Sequence, residues 1–219
     1  MTVGLVIVSH SATLAAGVVE LAAQMAPGVP IVPAGGMPDG RLGTDFNAVT
    51  DAVATADHGD GVVLLFDLGS ARMTADMVVE ARTDPDRAVV ADAPLVEGAV
   101  AAAVAAAGGA SMAAVVAAAA GDEVPTESAP GEVETAEIEL TNEIGLHARP
   151  AAQLARSLTG VNADVTVRFG DKESDARSVL GLLGLGARKG DRLVVSAGGE
   201  QAAEAVRRIR QLVDDNFGE

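Results

Sequence analysis

Val3-Gly4-Leu5-Val6-Ile7-Val8-Ser9-His10-Ser11 is the stretch on which the reading of the fold turns. Val3 to Val8 carry no polar side chain, the pattern of a strand covered on both faces. Ser11 to Met25 then has helical spacing, with Leu14, Val18, Leu21 and Met25 on one side. Pro30–Pro33 reads as a short second strand. Thr44–Ala56 reads as a helix opened by Thr44 as its cap. Val62–Phe66 is a third apolar strand, Ala71–Ala81 a helix and Ala88–Ala91 a fourth strand. Strand and helix in strict alternation predict a doubly wound, mainly parallel α/β sheet. In such sheets the chemistry sits beyond the carboxyl ends of the strands. Gly98–Gly121 has no charged residue and is mostly Ala and Gly. Ala is only weakly apolar and Gly108-Gly109 interrupts the run, so it predicts two helices buried against the sheet rather than a membrane span.

The second half has another rhythm. Thr135–Leu140 alternates as a strand, and Ala148–Leu158 is an amphipathic helix. Val161–Phe169 and Lys172–Asp175 flank Gly170-Asp171 as a hairpin. A helix over Ser178–Leu185, a strand over Arg192–Ser196 and a helix over Glu200–Asn216 complete the order β-α-β-β-α-β-α. That order predicts an α+β domain, an antiparallel sheet with helices on one face. Between the halves, residues 122–135 hold five acidic and no basic residues, two Pro and no period. They read as a flexible acidic linker with an r.m.s. span of ~20 Å. The expected domains are therefore 1–121 and 136–219, joined by 122–135.

Composition removes several function classes. The chain has 219 residues, 15 basic against 31 acidic side chains and a net charge of −16. So acidic a chain repels nucleic acid and anionic lipid. With no Cys there is no thiol catalysis and no thiolate-held metal. Trp and Tyr are absent and Phe occurs 4 times, which excludes stacking platforms. Met1 is followed by no basic start and Leu5–Val8 is too short for a secretory core, so a cytoplasmic location is expected. No Gly-x-x-x-x-Gly-Lys loop is present, which argues against a self-sufficient P-loop kinase.

Histidine chemistry falls to His10, His58 or His147. His10 follows the first strand and precedes a helix, a position that fits either a reactive imidazole or a loop and cap residue. Asp67, in Asp67-Leu68-Gly69-Ser70, ends the third strand. If strands one and three are neighbours, Asp67 can hold one His10 nitrogen and leave the other nucleophilic; alone it reads as a helix N-terminal acid. A neutral imidazole nitrogen can attack phosphorus directly and form a phosphoramidate. His147 lies in Gly145-Leu146-His147-Ala148-Arg149-Pro150, with Pro150 suited to a helix's first turn. There it reads as a phosphate site, with helix N–H donors and the Arg149 fork, or more simply as a cap. His58, in Asp57-His58-Gly59-Asp60, reads as a solvated turn at the opposite sheet edge.

Two resemblances sharpen these readings. Gly145-Leu146-His147-Ala148-Arg149-Pro150-Ala151, with Ala176–Gly186 and Lys189-Gly190-Asp191, resembles the HPr family of histidine phosphocarriers over nearly all of 136–219. The resemblance implies an open-faced α+β sandwich. It also implies phosphorylation of His147 by enzyme I of the phosphoenolpyruvate-dependent phosphotransferase system, in the family through Nδ1, with Arg149 assisting. Ser178 lies where some members carry a regulatory phosphoserine, although its simpler reading is a helix cap.

Residues 1–121 resemble the mannose-type EIIA family. The segments are Val6–Ser11, Gly43-Thr44-Asp45, Phe66-Asp67-Leu68-Gly69-Ser70-Ala71 and Ala93–Ala99. Gly69-Ser70-Ala71-Arg72 replaces the Gly-Gly-Thr-Pro expected of sugar importers. That departure points to the DhaM family, the phosphotransferase subunits of dihydroxyacetone kinases. The resemblance implies phosphorylation of His10, in the family through Nε2, with Asp67, Gly69 and Ser70 supporting. It also implies a homodimer through the EIIA domain. The expected partners are enzyme I, HPr, the nucleotide-carrying subunit DhaL and the triose-binding subunit DhaK. The chain itself is expected to bind no cofactor, with ADP or ATP and magnesium held in DhaL. Some members continue into an enzyme I-like segment; the chain ends at Glu219, so either the fused carrier or a free HPr is expected to serve His10. The alternatives are an EIIA–HPr pair of a sugar importer, or a regulatory binding protein switched by phosphorylation.

Overall fold

The computed structural model describes residues 2–121 and 133–218. The chain divides into two compact units, Met1–Asp122 and Glu123–Glu219. Residues 122–132 of the expected linker lie outside the described residues. Its last two, Glu134 and Thr135, belong to a strand, because they pair with the far end of the strand that follows later in the chain.

In the first unit, β1 (Gly4–Ser9) is buried at every position. It is followed by α1 (Ala12–Met25), β2 (Ile31–Gly35), α2 (Phe46–Ala56), β3 (Val62–Phe66), α3 (Gly69–Glu80), β4 (Ala88–Val90), α4 (Leu95–Ala107) and α5 (Met112–Ala120). The strands are parallel, in the order β2-β1-β3-β4. Side-chain alternation splits β1 between two cores. Leu5 and Ile7 join α1, α4 and α5, while Val6 and Val8 join α2 and α3. The chain leaves β1 first toward β2 and then crosses to β3 on its other side. The carboxyl ends of β1 and β3 therefore flank the switch point of the sheet, where such folds open a crevice.

The helices follow from the sequence with two corrections. On α1 the buried face is Ala15, Val18, Ala22 and Met25, and Leu14 is exposed. The small residues turn inward because α1 packs against the Ala-rich α4 as well as the sheet. The cap of α2 is Asp45, whose carboxylate accepts from the Ala48 N–H at 2.8 Å; the Thr44 hydroxyl instead meets that of Thr74. Both Ala-rich helices form, and among the described residues no helix is long and apolar enough to cross a membrane.

The second unit runs β5 (Glu134–Glu139), α6 (Ala148–Ser157), β6 (Asp164–Phe169), β7 (Lys172–Asp175), α7 (Val179–Leu185), β8 (Arg192–Gly198) and α8 (Ala202–Asp214). Its sheet is antiparallel, in the order β5-β8-β6-β7. Ala136 and Ile138 alternate with exposed glutamates along β5, which is a strand with one covered face. Phe217, after α8, is fully buried although its backbone is left-handed, at φ 54°.

Two predictions concern this framework. A Cβ on Gly4 would lie 2.2 Å from the Ala56 carbonyl oxygen, so α2 sits on bare backbone there. Gly4→Ala should destabilise the first unit by about 1–3 kcal/mol, read by urea denaturation. At the sheet edge opposite His10, Asp57 accepts from Arg87 at 2.6 Å and from Arg82 at 3.2 Å. The Arg87 hydrogen bond, with the Gly59 N–H and both positive charges, outweighs burial and holds Asp57 below its ordinary 3.8. The unfolded chain then binds this proton more readily than the folded one. The stabilisation is complete above the unfolded value and is lost as pH falls through the folded one. Asp57→Asn should therefore lower stability at pH 7 and flatten its decline in acid, measured by urea melts from pH 7 to 3.

Candidate phosphoryl-carrier sites

β1 and β3 are neighbours, so their carboxyl ends bring His10 and Asp67 together. Asp67 Oδ1 lies 3.0 Å from His10 Nδ1 and accepts from the Leu68 N–H at 2.7 Å. Its Oδ2 accepts from the His10 N–H and from the Ser9 hydroxyl, both at 2.9 Å. Burial pushes the Asp67 carboxyl up, but these four donors outweigh it and hold the group below the usual carboxylate range. An ionised carboxylate only accepts, so the proton between the two residues sits on Nδ1. Nε2 then carries the lone pair. The Ser70 hydroxyl lies 2.8 Å from it. The His10 side chain is 25% exposed, enough for an incoming group to reach Nε2.

Ser70 belongs to the first turn of α3, whose cap residue Leu68 has extended backbone and no side-chain cap. Among the described residues the Gly69 and Ser70 amides meet no acceptor. The positive end of α3 thus stands beside the ring, a natural cradle for anionic oxygens. The loop after β2 closes the other side, with the Gly43 N–H donating to the His10 carbonyl at 2.9 Å.

His147 is the cap residue of α6, with extended backbone and no side-chain capping bond. Its N–H donates to the Gly145 carbonyl at 3.0 Å, and the same carbonyl accepts from the buried Asn142 amide at 2.8 Å. Gly145 has φ 84°, and a Cβ there would lie 2.4 Å from Arg188 Cα, so only glycine fits. Leu146 N–H is tied to the Ala187 carbonyl at 2.9 Å, which fixes the loop to the chain before β8. The ring is partly exposed. Pro150 occupies the first turn and brings no N–H, leaving the Ala148 and Arg149 amides without acceptors among the described residues. Arg149 forms no ion pair among the described residues and lies in that same turn.

Ser178 caps α7 by accepting from the Gly181 N–H at 3.1 Å. His58 is an exposed turn residue, and its neighbour Asp57 is engaged by two arginines. Two further residues bear on the sites and were not singled out from sequence. Ser9 is fully buried and Asn142 nearly so. For Ser9 a signal existed, a lone hydroxyl ending an apolar strand beside a histidine. For Asn142 there was none, because its role depends on a loop fold.

Comparison with known proteins supplies the family. Residues 4–116 match the family model of the PTS system fructose IIA component. Residues 134–215 match that of the PTS HPr component phosphorylation site. The phosphoryl donor subunit DhaM of the PEP-dependent dihydroxyacetone kinase of Providencia stuartii is 37% identical over 99% of this chain and 50% of its own length. The phosphotransferase subunit DhaM of Lactococcus lactis is 40% identical over 47% of this chain and 80% of its own length. The crystal structure of the unknown function protein EF1359 covers 57% of this chain and 98% of its own, at 31% identity and a TM-score of 0.51. The chain spans about half the length of the curated relatives it matches from end to end. A parallel-sheet unit with His10 at its switch point, followed by a carrier unit with His147 at a helix start, belongs to the IIA components of the phosphotransferase system, in the DhaM family with a fused HPr component.

Proposed function

We propose that the chain is a phosphohistidine relay serving a dihydroxyacetone kinase. Enzyme I, charged by phosphoenolpyruvate, phosphorylates His147. The group passes to His10 and from there to ADP held with magnesium by DhaL, for delivery to dihydroxyacetone on DhaK. The observation that carries the reading is the Asp67–His10–Ser70 arrangement, which leaves one ring nitrogen as a nucleophile facing a helix N-terminus. In the transfer the Nε2 lone pair forms a bond to phosphorus while the bond from phosphorus to the donor histidine breaks. That bond's electron pair returns to the His147 ring. Asp67 offsets the positive charge that appears on the His10 ring, which keeps its Nδ1 proton. The Ser70 hydroxyl and the Gly69 and Ser70 amides then face the phosphoryl oxygens. Arg149 does the corresponding work at His147, with a guanidinium matched to phosphate geometry. Ser178 is proposed as a cap rather than a regulatory site, and a homodimer through the first unit is carried over from the family.

The decisive experiment incubates the chain with phosphoenolpyruvate, enzyme I and magnesium and maps acid-labile phosphate by mass spectrometry. Label should appear on both histidines, be absent from the first unit of His10→Ala, and be lost from His10 when His147→Ala is used without free HPr. Dihydroxyacetone phosphate formation with purified DhaL and DhaK should require His10. No label on either ring overturns the reading, and transfer to a sugar-specific EIIB in place of DhaL would redirect it. In the same assay Arg149→Ala should slow labelling of His147 by roughly tenfold or more, and Arg149→Lys should recover only part of the loss. A native circular dichroism spectrum would accompany both variants.

A further inference from the structure

On the reading that His10 carries phosphate, we infer that Ser9 is a positioning residue: its buried hydroxyl fixes the Asp67 carboxylate so that His10 keeps its proton on Nδ1 and presents Nε2. Ser9 is 0% exposed, and among the described residues of the first unit it is the one fully buried polar side chain. A hydroxyl in such a place is unfavourable unless its hydrogen bonds are made. An apolar residue would have continued the run from Leu5 to Val8 without that penalty. The hydrogen bonds therefore account for the residue.

Their directions are determined. The carboxylate of Asp67 cannot donate, so the Ser9 hydroxyl gives its single hydrogen to Oδ2 at 2.9 Å. Its oxygen then accepts from the Ser11 N–H at 3.0 Å. Ser9 and the His10 backbone together hold Oδ2, and the Nδ1 proton and Leu68 hold Oδ1. With two donors on each oxygen the carboxylate is held against rotation about its Cβ–Cγ bond. Freed of Ser9, Oδ2 keeps one donor, the plane is held less firmly, and the hold on Nδ1 loosens. The ring then divides its proton between the two nitrogens, and the fraction with a lone pair on Nε2 falls.

A purely local role is available, since Ser9 also accepts a backbone N–H at the start of α1. That helix already has its cap, because the Ser11 hydroxyl accepts from the Leu14 N–H. The two roles separate in a double-mutant cycle. If Ser9 acts through Asp67, its loss does nothing further once Asp67 is gone.

The test compares wild type, Ser9→Ala, Ser9→Cys, Asp67→Ala and the two double variants. Cysteine keeps the volume and leaves only a weak donor, so it serves should alanine not fold. The readouts are the initial rate of His10 labelling from phosphoenolpyruvate and enzyme I, and the ring 15N shifts of His10. Ser9→Ala and Ser9→Cys should slow labelling about tenfold, the scale of one hydrogen bond to a charged group. Both should also move the 15N shifts from the Nδ1–H pattern toward the average of two tautomers. In the Asp67→Ala background neither should add to the loss. A wild-type rate and tautomer in Ser9→Cys overturns the inference, and so does full additivity with Asp67→Ala. The tautomer measurement needs no phosphoryl donor, so it judges Ser9 even if wild-type His10 accepts no phosphate, a result that would sink the relay alone.

Discussion

The Asp67 carboxylate joins the two strands on which the first site is built. It receives the Ser9 hydroxyl, the His10 backbone and the His10 ring from the end of β1, and the Leu68 N–H from its own side. Parallel neighbours lie side by side at their carboxyl ends, and where the strand order reverses between them the outgoing connections part and leave a crevice. Here the order β2-β1-β3-β4 supplies that reversal. A negative charge at this depth would be unfavourable without such donors, and each donor is itself fixed by the sheet. The chemistry proposed for Nε2 is thus inherited from strand order, through one carboxylate.

The second unit arrives at a similar arrangement by other means. There the fold holds His147 through its backbone. The Gly145 carbonyl binds His147 N–H and the Asn142 amide together, and the left-handed Gly145 packs against the backbone at Arg188. In both units a helix N-terminus stands beside the histidine, that of α3 at His10 and that of α6 at His147, with N–H groups that have no intrahelical acceptor.

Much of this was legible in the residues, for physical reasons that also mark the limits. Continuous apolar runs identify β1 and β3 because each strand is covered on both faces, and His10 and Asp67 follow at their ends. On α1, Val18 and Met25 face the core as their spacing predicts, but Ala15 and Ala22 stand there in place of Leu14 and Leu21, because α4 is mostly Ala and a close helix contact favours small side chains. Thr44 and Asp45 are both competent caps, and the choice between them was made by Thr74, which is distant in sequence. Glu134 and Thr135 look like linker because they are polar, yet they lie on the exposed part of an edge strand and pair with β8. Asn142 is invisible in the same way, since its value lies in a carbonyl presented by a turn.

Charge explains why the two cradles differ. The chain carries −16, and a phosphoryl group adds roughly −1.5 to −2 at neutral pH. The first unit has four arginines, and each is already paired with aspartate. Arg82 and Arg87 hold Asp57 at the far edge, Arg72 meets Asp76 and Asp92, and Arg41 meets Asp39. Around His10 the neutral donors of Ser70, Gly69 and the α3 dipole remain for the oxygens. In the second unit Arg149, two residues after His147, forms no ion pair among the described residues. On the proposed relay the group leaves both sites in turn, passing from the cationic cradle to the dipolar one and onward, so neither is built around a fixed ion pair with a carboxylate and an arginine.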